Sequence, residues 1–227
     1  EPYRRQRQMC IRDSSNTENW IGQVYLYREN EDIPIDDNGK AMLPLLQICL
    51  EGLPYIPDAL KGSKVLTIFV SENMPGRLAY NGDAWVIREY KEEDVLVVKD
   101  IYMQSSSRIK PYPLKSQLIT EDYPVWDSGD IPMDIEDELV EMEDSGEITD
   151  YYDYTDCFAG HKIGGYPNYI QSGIDFGDGY EFMIQIASDE KANLNIIDSG
   201  NFYLAKNSQT GAVSYTHLRA HETRHDL

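Results

Sequence analysis

The chain has 227 residues, of which 41% are hydrophobic and 11% aromatic, and its 20 Lys and Arg against 40 Asp and Glu give a formal net charge of −20. This apolar content excludes a disordered acidic tail and predicts a packed core. The negative field repels phosphate groups, so we expect neither a nucleic-acid partner nor an anionic membrane surface. No apolar run approaches the roughly 18 residues that span a bilayer, so no membrane segment is expected.

Two terminal segments differ in composition from the rest of the chain. Residues 1–14 hold four of the 20 basic residues, and residues 214–227 hold three of the four histidines. Both segments closely resemble translated sequencing-adapter sequence, and we interpret them as non-native. Without their six basic and four acidic residues, the remaining range, 15–213, carries a net charge of −22 and is predicted to form a single domain. Its two cysteines, Cys49 and Cys157, are too few for a disulfide scaffold, which predicts a reduced, cytoplasmic protein.

The first half of the chain is predicted to be rich in strands. An alternating apolar pattern predicts a strand over residues 20–28. Continuous apolar runs bounded by turn residues predict further strands over residues 43–50, 64–70 and 84–90. Four prolines then fall between residues 105 and 133, which argues against a long helix there.

One helix and a last group of strands follow. Apolar residues at i, i+4 and i+7 predict a helix over 135–144, with Asp134 as its cap and Gly146 as its end. Residues 180–187 and 201–205 predict the last strands. Because strands dominate, the predicted fold class is α+β, mainly β, with few short helices.

A weak internal repeat relates the two ends of this domain. Each half has an Ile-Gly pair, then a glutamine inside an apolar strand (Gln47 and Gln185), then a glycine 15 residues later. We interpret this as a compact domain of two related β-rich halves, about 19–100 and 158–207, joined by an acidic, proline-rich connection. A buried glutamine must satisfy its hydrogen-bonding groups, so bracing a loop is the simpler role for each one and a ligand contact the alternative.

The run Lys162-Ile-Gly-Gly-Tyr-Pro167 is similar to the hallmark K-[IL]-G-G-Y-P of the YwqG-like family, a bacterial domain of unknown function. Residues 44–70 and 182–207 also resemble sequences of that family, so that the resemblance spans residues 19–207. It implies a compact, cytoplasmic α+β domain with no established activity. Some relatives occur near bacterial secreted-toxin genes, which implies an immunity or accessory role. The first half departs from the glycine pair, with Gly22 followed by Gln23.

The resemblance and the repeat together indicate where a ligand would bind. If the halves pack face to face, the loop of Gly164 and Gly165, the loop at Asp198 and the side chain of Gln185 could meet at one cleft. We predict its ligand-binding residues as His161, Gly164, Gly165, Gln185 and Asp198. The alternative is that the glycines only provide turns with positive φ. A second hypothesis pairs Cys157 with His161 as a nucleophile and its base, although nearby carboxylates would raise the pKa of that thiol.

No catalytic residue, metal site or cofactor is predicted. The sequence His221-Glu-Thr-Arg-His225 matches a zinc-protease motif, but it lies in the adapter-like tail and is rejected. Residues 127–156 hold 13 Asp and Glu and no Lys or Arg. Their carboxylates could hold Ca²⁺, but the calcium-loop spacing of an EF-hand is absent, which favours a solvated acidic surface.

Two functions remain open from the sequence. The first is a non-catalytic protein-binding domain, a toxin-immunity or accessory protein, whose negative field attracts a basic protein partner. The second is a small-ligand-binding protein or an enzyme with a cleft near Gly164 and Gly165. An enzyme is the less favoured of the two.

Overall fold

The computed structural model describes residues 18–72, 81–101, 108–171 and 174–218. Within these ranges lie eleven strands and one α-helix, and the fold is mainly β, as the sequence predicts. The strands are β1 (Asn19–Ile21), β2 (Leu26–Tyr27), β3 (Leu43–Cys49), β4 (Ser63–Val70), β5 (Trp85–Lys91), β6 (Val97–Val98), β7 (Tyr112–Leu114), β8 (Lys162–Ile163), β9 (Tyr180–Ala187), β10 (Asn201–Asn207) and β11 (Val213–Leu218); the helix is α1 (Met133–Ser145).

Two antiparallel sheets form the body of the molecule. The first has the strand order β5-β4-β3-β1-β7 and the second the order β11-β10-β9-β8. Strands β2 and β6 pair with each other and form a separate two-stranded ribbon. Strand β7 comes from the connection between the halves and pairs with β1, with Trp20 opposite Pro113. The connection therefore begins as part of the first sheet.

One hydrophobic core lies between the two sheets. It combines Leu45 and Ile68 of the first sheet with Ile186 and Phe202 of the second, all of which are buried. Strand β3 is buried along its whole length, which explains its continuous apolar sequence. A second cluster, centred on Tyr27 and Phe69, lies under the β2–β6 ribbon. Burial of these side chains is the main source of the stability of the fold.

The structure changes three details of the predicted elements. The predicted strand over residues 20–28 is interrupted, because Gly22 has φ +72° and turns the chain between β1 and β2. The predicted helix begins two residues early, at Met133, after Pro132. The predicted cap, Asp134, is wrong: it lies in the first turn, and the helix has no side-chain cap. The predicted end is confirmed, since Gly146 takes a left-handed conformation there.

The end of the described chain is part of the second sheet. Strand β11 pairs with β10, and its Tyr215 is buried against Trp85 and Phe202. The first five residues of the segment predicted to be non-native, 214–218, therefore lie in this strand. The helix α1 is not long enough to cross a membrane, and the described residues hold no other helix that is.

An ion-pair cluster joins the edge of the first sheet to the second. Glu89 on β5 accepts two hydrogen bonds of 2.8 Å from Lys206 Nζ on β10, and it also bonds Lys91 and Ser63. Burial alone would raise the pKa of the Glu89 carboxyl, but these three donors lower it to about 2. The charged form of Glu89 therefore stabilises the folded state.

We expect Glu89→Gln to lower the free energy of unfolding by about 1–2 kcal/mol at pH 7, a value reduced for the part of this carboxylate that water still screens. The pKa of Glu89 is depressed in the folded state, so its contribution is present above its ordinary value of 4.5 and is lost as the pH falls toward 2. Urea unfolding of both proteins between pH 2 and pH 7 measures this. The exposed Glu92→Gln serves as control, and a Glu89→Gln deficit that did not shrink below pH 4.5 would contradict the assignment.

Candidate functional site

The side chain of Gln185 braces the loop in front of β8. Gln185 lies on β9, is completely buried, and faces Lys162 across the β8–β9 pair. Its Oε1 accepts a 2.8 Å hydrogen bond from the backbone N–H of Asn168. Its Nε2 donates to the carbonyl oxygens of Ala159 and Gly160 at 3.0 and 2.9 Å. These bonds engage both ends of the carboxamide with the protein's own backbone.

Gln47 has the same arrangement in the first half. It lies on β3 opposite Trp20 of β1 and is buried. Its Oε1 accepts hydrogen bonds from the backbone N–H groups of Tyr25 and Leu26 at 2.8 and 2.9 Å. Its Nε2 donates to the Glu18 carbonyl at 3.0 Å. In both halves, therefore, a strand glutamine holds the chain on both sides of a neighbouring short strand.

His161 is held by hydrogen bonds at both ring nitrogens. Its Nδ1 accepts from the backbone N–H of Ala187 at 3.1 Å, so the proton of the neutral ring lies on Nε2 and faces Asp189 Oδ2 at 3.3 Å. Partial burial raises the pKa of Asp189, but the N–H donors of Ala192, His161 and Lys191 together leave it below its ordinary value. The carboxylate partner of His161 is thus Asp189. Asp198, the fifth residue of the predicted cleft, is exposed in the turn before β10.

The hypothesis that Cys157 and His161 form a nucleophilic pair has no support in these contacts. The Cys157 thiol donates to the Pro124 carbonyl at 3.2 Å, and both His161 nitrogens have the partners described above. Burial, with the nearby Asp122 carboxylate, raises the pKa of Cys157 above its ordinary value. A raised pKa leaves less thiolate at neutral pH, so this thiol is a weaker nucleophile than a free cysteine.

Gly164 and Gly165 form a turn with two successive positive φ angles, +68° and +71°. A methyl group at Gly164 would lie 2.5 Å from the Tyr55 ring, and one at Gly165 would lie 2.4 Å from Asp122 Oδ2. Positive φ and close approach both favour glycine. The turn therefore provides both the chain reversal expected of it and room for a carboxylate.

The carboxylate of Asp122 is bound beside this turn. It accepts hydrogen bonds from Lys162 Nζ at 2.8 and 2.9 Å, from the Tyr166 N–H at 3.0 Å and from the Phe158 N–H at 3.3 Å. The side chains of Lys162 and Asp122 are only 8% and 13% exposed. We call these three donors, with Gly165 between them, the carboxylate cradle. Removing one partner of a partly buried ion pair of this kind is costly, because it leaves the other charge buried without compensation.

The acidic range 127–156 contains the helix α1, and none of the helix residues is buried. The helix is tied to the following turn by a 3.1 Å hydrogen bond from the Tyr151 N–H to Glu143 Oε1. The Tyr151 ring is buried against Trp126, and its hydroxyl donates to the Pro124 carbonyl. Among the described residues, no group of His, Cys, Asp and Glu is arranged to hold a metal ion.

Four of the five predicted binding residues lie close to the β8–β9 pair. Gln185 lies on β9, and His161 directly precedes β8 and bonds the Ala187 N–H at the end of β9. Gly164 and Gly165 follow β8 directly, with the Gly164 N–H bonded to the Met183 carbonyl. A small cavity of about 10 Å³ lies elsewhere, between the sheets, and its lining is wholly apolar, including Leu45, Trp85 and Phe202. A cavity of that size holds about one water molecule at most.

Sequence reasoning missed the acidic partners in this region. Lys162 was part of the quoted motif, but nothing in the spacing of the chain pointed to Asp122, 40 residues earlier in an acidic segment. Asp189 was equally unmarked, 28 residues after His161. Both pairs depend on how the connection and the β9–β10 loop fold back on the second sheet. The one usable signal is the lysine two residues before the first glycine of the pair.

The fold and these contacts define a mainly-β domain whose two sheets share one core and whose glycine turn binds a carboxylate of the same chain. A family model for a domain of unknown function, DUF1963, matches residues 21–209, and the chain belongs to this family. No curated protein matches the chain. The matched range includes strands β2 to β10 and the connection between the halves, and it ends before β11. The histidine-rich zinc-protease motif at 221–225 lies outside the described residues.

Proposed function

We propose that this DUF1963 domain is a non-catalytic protein-binding domain, and that the described part of its acidic connection, residues 108–157, forms the surface that binds a basic protein. The observation that carries the proposal is the exposure of apolar side chains in that connection. In the described part of the chain, fourteen large hydrophobic side chains are exposed, and eight of them lie between Leu118 and Tyr154. That range holds only about a fifth of the described residues. Apolar groups exposed in one region often mark an interaction surface.

The helix α1 is the centre of the proposed surface. Met133, Ile135 and Val140 are 77, 43 and 45% exposed, and no residue of the helix is buried. Carboxylates surround these apolar groups, since residues 127–156 hold 13 Asp and Glu and no basic residue. A partner that covered the apolar groups would therefore bring its own Lys or Arg side chains against this charge. Exposed tyrosines such as Tyr152 and Tyr154 fit the composition of protein interfaces.

The proposal includes three finer points from the sequence. The resemblance to YwqG-like proteins makes a secreted basic toxin the partner class to test first. Neither Cys49 nor Cys157 is joined in a disulfide, as suits a cytoplasmic protein. The halves derive from one duplicated unit: the strand orders β5-β4-β3-β1 and β11-β10-β9-β8 correspond, and so do Gln47 and Gln185.

Neutralising α1 should weaken partner binding. We expect the triple variant Asp137→Asn, Glu138→Gln, Glu141→Gln to weaken capture of basic proteins on the immobilised chain roughly tenfold, and wild-type complexes to dissociate with added salt. The captured proteins are first identified, and the binding of each one to the wild-type chain and to the variant is then measured by surface plasmon resonance. The three residues are exposed, so folding should be unchanged.

The matched control removes the same charge elsewhere. Glu51, Glu92 and Glu93 are exposed on the first half, and their replacement by glutamine should leave binding within about twofold, since screening weakens distant charges. Equal losses in the two triple variants would mean that only the net charge matters. A partner indifferent to both variants and to salt would contradict the proposed surface.

A further inference from the structure

The strongest unexplained feature outside the proposed binding surface is the carboxylate cradle. Its donors converge on one small group: the Lys162 ammonium and two backbone N–H groups, those of Phe158 and Tyr166, all contact the Asp122 carboxylate. Each oxygen of Asp122 receives two of these bonds. Successive positive φ angles at Gly164 and Gly165 aim the following N–H group, that of Tyr166, at the anion, which is the geometry of an anion-binding nest.

The cradle exists independently of the residue that fills it. Lys162 is on β8, which is fixed in the second sheet by its pairing with Gln185 and Ile184. The Phe158 N–H belongs to the segment that Gln185 holds through Ala159 and Gly160. Asp122, by contrast, comes from the connection, which is not paired with the second sheet by any strand in the described ranges. The donors therefore belong to the scaffold, and the carboxylate is brought to them.

We propose that the Lys162-Ile-Gly-Gly-Tyr166 turn is a carboxylate-binding site, and that Asp122 is its ligand in cis. The bound Asp122 fastens the middle of the connection to the second sheet, while β7 fastens its beginning to the first. The chemical class that the site takes is a planar carboxylate, because one ammonium and two N–H groups bind both of its oxygens. Without Asp122, a free carboxylate binds in the same place.

The first half lacks this site, which agrees with the assignment. In the second half Gly164 is followed by Gly165, whereas in the first half Gly22 is followed by Gln23. Neither residue 19 nor residue 20 is a lysine, so the first half has no counterpart of Lys162. The Gln23 side chain is itself buried, and its Nε2 has no hydrogen-bond partner. A side chain thus occupies the first half at the position where the second half leaves room for a carboxylate.

Chemical rescue tests the proposal. Asp122→Ala leaves Lys162 buried without its partner, and we expect the melting temperature to fall by roughly 5–15 °C. Sodium formate, which replaces the lost carboxylate, should then raise the melting temperature of this variant saturably, by about 3–6 °C at ten times its dissociation constant. Sodium chloride at equal ionic strength should not. Amide exchange at Phe158 and Tyr166 should accelerate in Asp122→Ala and slow again with formate.

Three matched proteins make the test decisive. The wild-type chain and Asp122→Asn should show no formate-specific gain, because a side chain already fills the cradle. The double variant Asp122→Ala, Lys162→Met should show none either, because the cation is gone. If Asp122→Ala does not fold in chloride, its refolding yield with formate against chloride gives the same comparison. A formate effect in Asp122→Ala no larger than in the wild type, or undiminished in the double variant, would overturn the proposal.

Discussion

Replacing Gln185 with leucine is expected to lower the free energy of unfolding by about 2–4 kcal/mol, although leucine is nearly the same size and the site is completely buried. Leucine cannot accept from the Asn168 N–H or donate to the carbonyls of Ala159 and Gly160. These backbone groups then lose their partner, and the cost is larger than the net worth of the bonds themselves. Urea unfolding monitored by tryptophan fluorescence and circular dichroism measures the change.

Two other glutamines make this result interpretable. Gln47→Leu removes the partner of the Tyr25 and Leu26 N–H groups, and we expect a loss of similar size. Gln23→Leu is the control: Gln23 is also buried, but its Nε2 has no partner, so its replacement should change the stability by less than about 1 kcal/mol. Equal effects at Gln23 and Gln185 would show that burial of a glutamine, rather than its bonds, sets the cost.

Gly22→Ala is expected to cost about 2–4 kcal/mol for a different reason. Gly22 has φ +72°, and a methyl group there would lie 2.6 Å from the Lys110 carbonyl oxygen and 2.9 Å from its carbon. Backbone atoms cannot move aside as the end of a flexible side chain does. The end of β1 and the segment around Lys110, just before β7, would therefore have to separate. Strain from the left-handed conformation adds roughly 1 kcal/mol.

Gly39→Ala separates these two contributions. Gly39 has nearly the same φ, +75°, but a methyl group there would meet nothing within 4 Å. It should therefore cost only the conformational strain, about 1 kcal/mol. Equilibrium unfolding midpoints, with unchanged dependence on urea concentration, give both values. If Gly22→Ala were no worse than Gly39→Ala, the close packing of β1 against Lys110 would be wrong.

The buried strands could be predicted from the sequence because the core determines their pattern. Strands β3, β4, β5 and β9 all lie within one residue of the predicted ranges, since apolar runs of strand length have few other uses. The loop-bracing role of Gln185 followed from the same physics, because a polar group in an apolar strand must find partners. These predictions depended only on residues near one another in the sequence.

The remaining features depended on distant segments and could not be predicted. The local alternation does not show the interruption after β1, where Gly22 has φ +72° and lies so close to Lys110, 88 residues later, that a side chain would not fit. The apolar stripe of α1 predicts a helix but not what covers it, and none of that helix is buried. The Asp122 carboxylate reaches Lys162 only after the connection has folded over the second sheet. Single-chain patterns carry no information on such pairings.

The exposed position of α1 has a consequence for how this protein can change over generations. Because no side chain of the helix takes part in the core, substitutions there leave the folding equilibrium nearly untouched. The residues that hold the sheets together, such as Gln185 and Gly22, have no such freedom. Selection can therefore alter the surface of the helix rapidly while the scaffold stays fixed.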